Sequence, residues 1–396
     1  MPLANSYIRP EQTDQPDLVF PLHARVCERC FLVQLDHIVD AQAIFSDYAY
    51  FSSFSSDWLE HAKRFAKEMI QFLKLGKGDF VVEVASNDGY LLKNFVAANI
   101  GCLGIEPANN VAATARAAGV PTEITFFGLA VAQDIVAQRG HASLVIANNV
   151  LAHVPDVNDF VAGLAYLAGA SGLVSIEVPH LLQLIQRTEF DTIYHEHYAY
   201  WSLHAMAAVF EAHALNIVDV KELPTHGGSL RVFAQRSDSK PSRNVAALRA
   251  AEAQAGIADP RFYEKFGPQV ERVIAAFREY LSESHTMGRR VAAYGAAAKG
   301  NTFLNAGKVT AGDIMFVADR NPHKQGHLLP GSRIPIVAPE VVLDRKPDDL
   351  IILPWNVADE IVREMAAIRL WGGRFVIGVP KLHFLVPADE VQAHPH

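Results

Sequence analysis

The sequence predicts an α/β protein with three parts: a doubly wound, Rossmann-like domain in the middle, a second and smaller Rossmann-like domain at the C-terminal end, and a small N-terminal β module. Three observations predict it. Short apolar runs alternate with helical patterns at βαβ spacing over residues 79–179. The alternation restarts at residue 289, after a long helical stretch. Residues before 57 show little periodicity of either kind. The length of 396 residues supports this division, since one core usually organises ~100–200 residues.

The expected parts are 1–56, 57–236 and 237–396, the last with a helical lead-in over 237–288. In the first, FPLHARVCERCFLVQLDHIVD reads as a strand, a CxxC turn and a strand. In the second, Trp58, Ala62, Phe65, Ala66, Met69, Ile70 and Leu73 recur at helical spacing and predict an amphipathic helix over 57–75. Strands are then expected at DFVVEVA (79–85), CLGIEP (102–107), ASLVIANNV (142–150) and GLVSIEVP (172–179), with a weaker one at TEITFFG (122–128). NIVDVKEL (216–223) and SLRVFAQR (229–236) predict an antiparallel edge. In the third, RRVAAYGAAAKGNTFLN reads as strand, turn and helix, and DIMFVADRNPHKQG, DLIILP and RFVIGVP supply further strands.

Composition narrows the function. Half the residues are hydrophobic and 20% are charged, an ordinary globular balance. The formal net charge is −8 and no basic run occurs, which argues against a nucleic-acid partner. No apolar run approaches the ~18–20 residues a bilayer requires, and no secretion signal is expected. Only Cys27, Cys30 and Cys102 are present, which fits a reducing cytoplasm. A cytoplasmic monomer or homodimer that handles a small molecule is the expectation.

The chemistry sits at the strand ends, where doubly wound sheets bind ligands. VVEVASNDGYLL offers Glu83, Ser86, Asn87 and Gly89 in a tight turn between strand and helix. The turn lacks the three glycines of GxGxxG, so it matches a dinucleotide pyrophosphate poorly. S-adenosylmethionine (SAM), which has no phosphate, fits better. LGIEP places Glu106 and Pro107 at the second strand end, where an acid accepts ribose hydroxyls. IANNVLAHVPD places Asn148, Asn149 and His153 after the fourth strand. Together the three predict a class I SAM-dependent methyltransferase domain.

IYHEHYAYWS carries Tyr194, Glu196 and His197. Its two histidines stand two residues apart, unlike the helical pair of HExxH, so a general base oriented by a carboxylate is preferred over a metal. PTHGGSLRVF offers His226, Gly227, Ser229 and Arg231 for substrate, or else a hairpin turn. YGAAAKGNTFLN offers Lys299 and Asn301 at a helix start suited to phosphate, or else a structural turn. Cys27 and Cys30 are half of a four-cysteine zinc site.

With these residues in view, the chain resembles the sugar C-methyltransferases of antibiotic-sugar biosynthesis, the tetronitrose and noviose C-methyltransferases among them. The resemblance runs through PLANSY, CxxCFLVQL, EVASNDGYLL, YHEHYAYWS, THGGSLRVF, GAAAKGNTFLN and DRNPHKQG, in that order. It implies a zinc-binding module, a SAM domain and a C-terminal Rossmann-like domain acting on a nucleotide-linked keto-deoxysugar that lies between the domains. It implies a catalytic cluster of Tyr194, Glu196 and His197, with His153 and Tyr48 nearby, and a nucleotide diphosphate held through Lys299. The family has a further CxxC before PLANSY, where this sequence has Met1, so either the start is misplaced or the zinc site, of which Cys27 and Cys30 are part, is truncated or lost. In the expected mechanism His197 removes a proton alpha to the keto group, Glu196 orients it or acts in the hydrogen-bond network around it, and Tyr194 and His153 donate to the enolate oxygen. The competing expectations are an O- or N-methyltransferase, an NAD(P)-dependent sugar-nucleotide oxidoreductase, and a non-catalytic binding protein.

Overall fold

The computed structural model describes residues 1–45, 51–237 and 239–385. The chain forms two compact units. One comprises Ala24–Leu182 and Glu196–Phe262; the other comprises Met1–His23, Gln183–His195 and Tyr263–His396.

The strands of the first unit are β1 (Ala24–Val26), β2 (Val33–Leu35), β3 (Phe80–Val84), β4 (Gly101–Ile105), β5 (Thr122–Glu123) and β6 (Leu144–Asn148). They continue with β7 (Leu173–Pro179), β8 (Ala199–Tyr200), β9 (Asn216–Leu223) and β10 (Ser229–Gln235). Seven of them form one sheet in the order β5-β4-β3-β6-β7-β10-β9. β10 alone runs against the others, pairing antiparallel with both β7 and β9. The expected antiparallel edge is therefore an antiparallel strand inserted next to the edge. TEITFFG contributes only Thr122 and Glu123, because β5 is the outermost strand and pairs with β4 alone.

Side chains alternate across each strand and so line two faces. Val82, Val84, Val145, Ala147, Val174 and Ile176 enter one core. Val81, Leu144, Ile146 and Leu173 enter the other, beneath Ala62, Phe65, Ala66 and Met69 of the helix Ser56–Leu73. That helix is amphipathic, as its spacing predicts. Its N-terminus is capped by Ser55, whose hydroxyl accepts from the Trp58 amide at 3.3 Å. The same alternation puts Glu83, Asn148 and Glu177 on the helix-covered face, because they stand two or four residues beyond Val81, Ile146 and Leu173. β1, β2 and β8 form a separate antiparallel sheet around the CxxC turn.

The second unit has β11 (Val291–Tyr294), β12 (Val317–Ala318), β13 (Ile336–Val337), β14 (Asp349–Ile352), β15 (Arg374–Ile377) and β16 (His383–Leu385), in the order β13-β12-β11-β14-β15-β16. Five are parallel and β16 is antiparallel. The chain turns outward in both directions from β11 and β14, so the crevice beyond these two strands is the topological switch point. The segment 1–23 joins this unit through an Ile8–Leu328 bridge and an Asn301 amide that donates to the Ala4 carbonyl at 3.2 Å. Among the described residues no helix is long and apolar enough to cross a membrane.

Candidate active site

The turn after β3 is built from backbone that L-residues seldom adopt. Ala85, Asn87 and Gly89 have φ of 56°, 50° and 77°. A Cβ on Gly89 would stand 2.9 Å from the Val120 side chain, so this position requires glycine on both counts. At the end of β4, Glu106 pins the turn, accepting from the Asn87 amide at 3.0 Å and the Ala108 amide at 2.9 Å. Pro107 lies between Glu106 and Ala108, half-buried. Ser52 and Ser53 donate backbone amides to Asn87 and Asp88 at 2.8 and 3.0 Å, which lays residues 51–54 over the turn.

Glu83, Asp88 and Glu106 are all buried here. Burial pushes the Glu83 carboxyl well above its usual range, and repulsion from Asp88 and Glu106 adds to it. Burial also raises Glu106 against the two amides that donate to it. Buried polar atoms are normally satisfied, yet Glu83 Oε2, Ser86 Oγ, Asp88 Oδ1, Asn148 Oδ1 and Asn149 Nδ2 have no hydrogen-bond partner among the described residues. This acidic surface at the β3/β6 switch point, whose orphaned atoms include carboxylate and amide acceptors and the Asn149 donor, suits a cationic ligand that carries both donors and acceptors. SAM has an ammonium, a sulfonium and two ribose hydroxyls, so these residues fit it.

Beyond β6 the loop brings several of the candidate catalytic residues together. Asn149 has φ of 52° and donates its amide to the Glu177 carbonyl at 2.6 Å. His153 ends the short 3-10 turn Leu151–His153. The Tyr198 amide donates to the Ala152 carbonyl at 2.7 Å, which draws the Glu196–Tyr198 segment alongside that turn. His153 and His197 then meet edge to face, with ring centroids 4.7 Å apart, and Tyr200 approaches His197 at 6.1 Å. His153 Nδ1 lies 2.7 Å from the Glu196 carbonyl oxygen. A carbonyl only accepts, so Nδ1 carries the proton; burial holds the imidazole at about 4, neutral near pH 7, with Nε2 as its lone-pair side. Glu196 is buried and His197 half-buried. Tyr194 is half-buried and belongs, with Gln183–His195, to the second unit. Tyr48 lies outside the described residues.

A further polar cluster, of which the sequence reading singles out only Arg231, covers the same sheet face. Glu177 is fully buried, with Arg231 as its register partner on β10 and as its ion-pair partner. Nε2 of His61, on the helix Ser56–Leu73, lies 3.2 Å from Glu177 and 3.0 Å from Arg231. Thr225 donates to the other carboxylate oxygen at 3.1 Å. Burial alone would raise Glu177, but the His61 contact and the Arg231 charge hold it at about 2. Trp58 stacks on His61 at 4.8 Å and reaches Tyr90 at 6.1 Å, one residue past Gly89. The structure thus places Arg231 in a buried ion pair. His226 and Gly227 lie in a 3-10 turn whose glycines, Gly227 and Gly228, have φ of 93° and 134°, and the Gly228 carbonyl accepts from the His180 amide at 2.9 Å. Ser229 is buried and donates to the Thr225 carbonyl at 3.1 Å.

In the second unit, Asn301 is buried, holding the segment 1–23 and accepting from Asn305 at 3.1 Å. Lys299 donates to Asn356 at 2.8 Å and stands over the Trp355 ring at 4.6 Å.

Cys27 and Cys30 close the β1–β2 turn, with the Phe31 amide donating to the Cys27 carbonyl at 2.9 Å. Amides of Cys30 and Arg29 pull the Cys27 thiol down, while burial pushes Cys30 up. Among the described residues no group of three or more His, Cys, Asp or Glu gathers to hold a metal ion. Two thiols fall short of the four ligands of structural zinc.

Three family models match the chain: a C-methyltransferase C-terminal domain over residues 224–380, a methyltransferase domain over 58–220, and a zinc binding domain over 1–45. The C-methyltransferase NovU of Streptomyces niveus is 37% identical over 382 residues, covering 96% of this chain and 91% of that protein. The magnesium protoporphyrin IX methyltransferase of Synechocystis PCC 6803 with bound SAH is similar at a TM-score of 0.37 and 17% identity, over 45% of this chain and 83% of that one. Matched nearly end to end by its Streptomyces relative, the chain belongs to the SAM-dependent C-methyltransferase family.

Proposed function

We propose that this chain methylates a carbon of a nucleotide-linked keto-deoxysugar, using His197 as the general base. The observation that carries the reading is the His153–His197 pair, 4.7 Å apart, beyond the strand end that also bears Asn148 and Asn149. The relative's name supplies carbon as the methylated atom, and the resemblance along the chain supplies the sugar.

SAM would be held by Glu83, Ser86, Asn87, Gly89, Glu106, Pro107, Asn148 and Asn149 and would supply a methyl group already activated by the sulfonium. The chain's own task is to make a carbon nucleophile. A ketone acidifies its neighbouring C–H, because the enolate spreads charge onto oxygen. His197 takes that proton. The C–C bond then forms as the S–CH3 bond breaks, leaving S-adenosylhomocysteine and a protonated His197. The buried Glu196 favours the imidazolium that results and orients the ring. His153, with its proton committed to the Glu196 carbonyl, presents a lone pair and acts as an acceptor; the donor to the enolate oxygen is Tyr194.

The test is mass spectrometry of the full chain incubated with SAM and a panel of nucleotide-linked keto-deoxysugars. A methyl gained on carbon, with S-adenosylhomocysteine released, supports the reading. Methylation on oxygen or nitrogen alone sinks it.

A further inference from the structure

Resting on the nucleotide-sugar reading, we propose that the crevice beyond β11 and β14 takes ring hydroxyls of the substrate through Asp191 and Glu189, and that Lys299 serves these carboxylates rather than a phosphate. Lys299 follows β11, and Trp355 and Asn356 follow β14, so the cluster sits at the switch point of the second sheet. The 3-10 turn Phe190–Thr192 anchors the acids. Phe190 enters the core beside Phe303 at 6.1 Å, and the turn packs on the helix Ala298–Ala306 that carries Lys299.

Both carboxylates are almost wholly buried and both feel the Lys299 ammonium. The Trp355 indole donates to Asp191 Oδ2 at 2.7 Å, which fixes that carboxylate. Its other oxygen, Asp191 Oδ1, has no hydrogen-bond partner among the described residues, and neither has Glu189 Oε1. Arg187 approaches that Glu189 oxygen only at 3.9 Å. The Trp355 indole and the Asp191 and Thr192 amides pull the Asp191 carboxyl down, yet Oδ1 of Asp191 and Oε1 of Glu189 each still lack a donor of their own. A phosphate brings only acceptors and negative charge, and would meet two acids around one ammonium. A hydroxyl brings the donor each orphaned oxygen lacks, and its own oxygen can accept from Lys299. Burial raises Asp191 to about 6 and Glu189 to about 7, which further marks the place as unwelcoming to another anion. The half-exposed Trp355 ring adds an apolar wall of the kind a sugar ring packs against.

The two assignments of Lys299 predict opposite signs. Binding of UDP-, TDP-, GDP- and CDP-glucose, and of the four free diphosphates, is measured by calorimetry on the full chain, with Asp191→Asn and Glu189→Gln as variants. Inorganic pyrophosphate serves as competitor, and thermal melting checks the fold. If hydroxyls fill the crevice, Asp191→Asn weakens the sugar nucleotide about tenfold or more and pyrophosphate competes no worse. A loss confined to the glucose conjugates identifies the hexose; an equal loss for the free diphosphates identifies the ribose. If phosphate sits against Lys299, removing a neighbouring negative charge leaves binding unchanged or tightens it, and the assignment is overturned. Should Asp191→Asn fail to fold, Glu189→Gln carries the same sign. If wild type binds none of the nucleotides, the nucleotide-sugar reading fails and takes this assignment with it.

Discussion

Glu177 and Arg231 stand opposite each other across β7 and β10 and close a buried ion pair beneath Trp58 and His61. Removing one partner strands the other charge in the core, which typically costs about 3–5 kcal/mol. Arg231→Met is therefore expected to lower the free energy of unfolding by about that amount, read from urea denaturation. The double replacement Glu177→Leu with Arg231→Met should recover much of the loss. A single variant within about 0.5 kcal/mol of wild type would mean the pair is solvated.

The same pair sets part of the acid stability. Glu177 is held at about 2 in the fold, below its ordinary 4.5. A depressed acid contributes stability that is present above the ordinary value and is lost as pH falls through the folded one. The loss below pH 4.5 should be shallower in Arg231→Met, where the carboxylate has lost its main cationic partner.

His153 acts in a higher window. Its folded value of about 4 lies below the ordinary 6.5, so between these the unfolded chain binds a proton that the folded chain refuses. Stability therefore falls as pH drops from 6.5 to 4. Asp191 and Glu189 work in the opposite sense. Their folded values of about 6 and about 7 exceed the ordinary 3.8 and 4.5, so their contribution is lost as pH rises through that range. The difference between wild type and His153→Asn isolates the imidazole, because Asn can still donate to the Glu196 carbonyl. The variant is expected to lose less stability on acidification, measured as urea midpoints at pH 7 and 5; identical slopes would place His153 in water.

A Cβ at Gly104 would stand 2.3 Å from Ser86 Oγ. Gly104→Ala must push Ser86 out of its seat in the turn after β3, where SAM is proposed to bind. SAM and S-adenosylhomocysteine are expected to bind about tenfold more weakly, or worse, by calorimetry, with the melting temperature moving little. Unchanged affinity would remove Ser86 from the cofactor contacts.

His197→Asn separates chemistry from binding. Loss of a general base costs typically 10²–10⁴-fold, so turnover is expected to fall by about that factor while the dissociation constant for SAM stays within about threefold. Near-normal turnover would assign the proton to another group.

Much of this architecture is legible in the sequence, and the limits have physical causes. β3, β6, β7 and β10 fall where apolar runs predict them, because interior strands must be apolar on both faces, whereas β9, the outermost strand, is half polar and is marked by its alternation instead. β13 and β16 escape notice: each is short and lies at the rim of its sheet, where little burial is required. The polar turn after β3 is readable, since a run such as SNDG can hardly continue a buried strand. The Glu177–His61–Arg231 cluster is not. Glu177 looks like an interruption in IEVP, and its partner His61 stands 116 residues away, brought close only when a helix lies down on the sheet. Nor does anything in the linear chain mark Asp191 as a companion of Lys299.

The bridge between Ile8 and Leu328 also has a consequence for biosynthesis. At roughly 5–20 residues per second, the segment around Ile8 emerges some 15–60 seconds before its partner strand is made. During that interval Leu18 and Val19, exposed even in the finished fold, accompany a stretch of chain that has nowhere to dock. The second unit is thus completed only after segments on both sides of the first unit have been made. Its yield in the cell should depend on elongation rate and on chaperones that shelter the leading segment, while the seven-stranded sheet of the first unit does not wait for it.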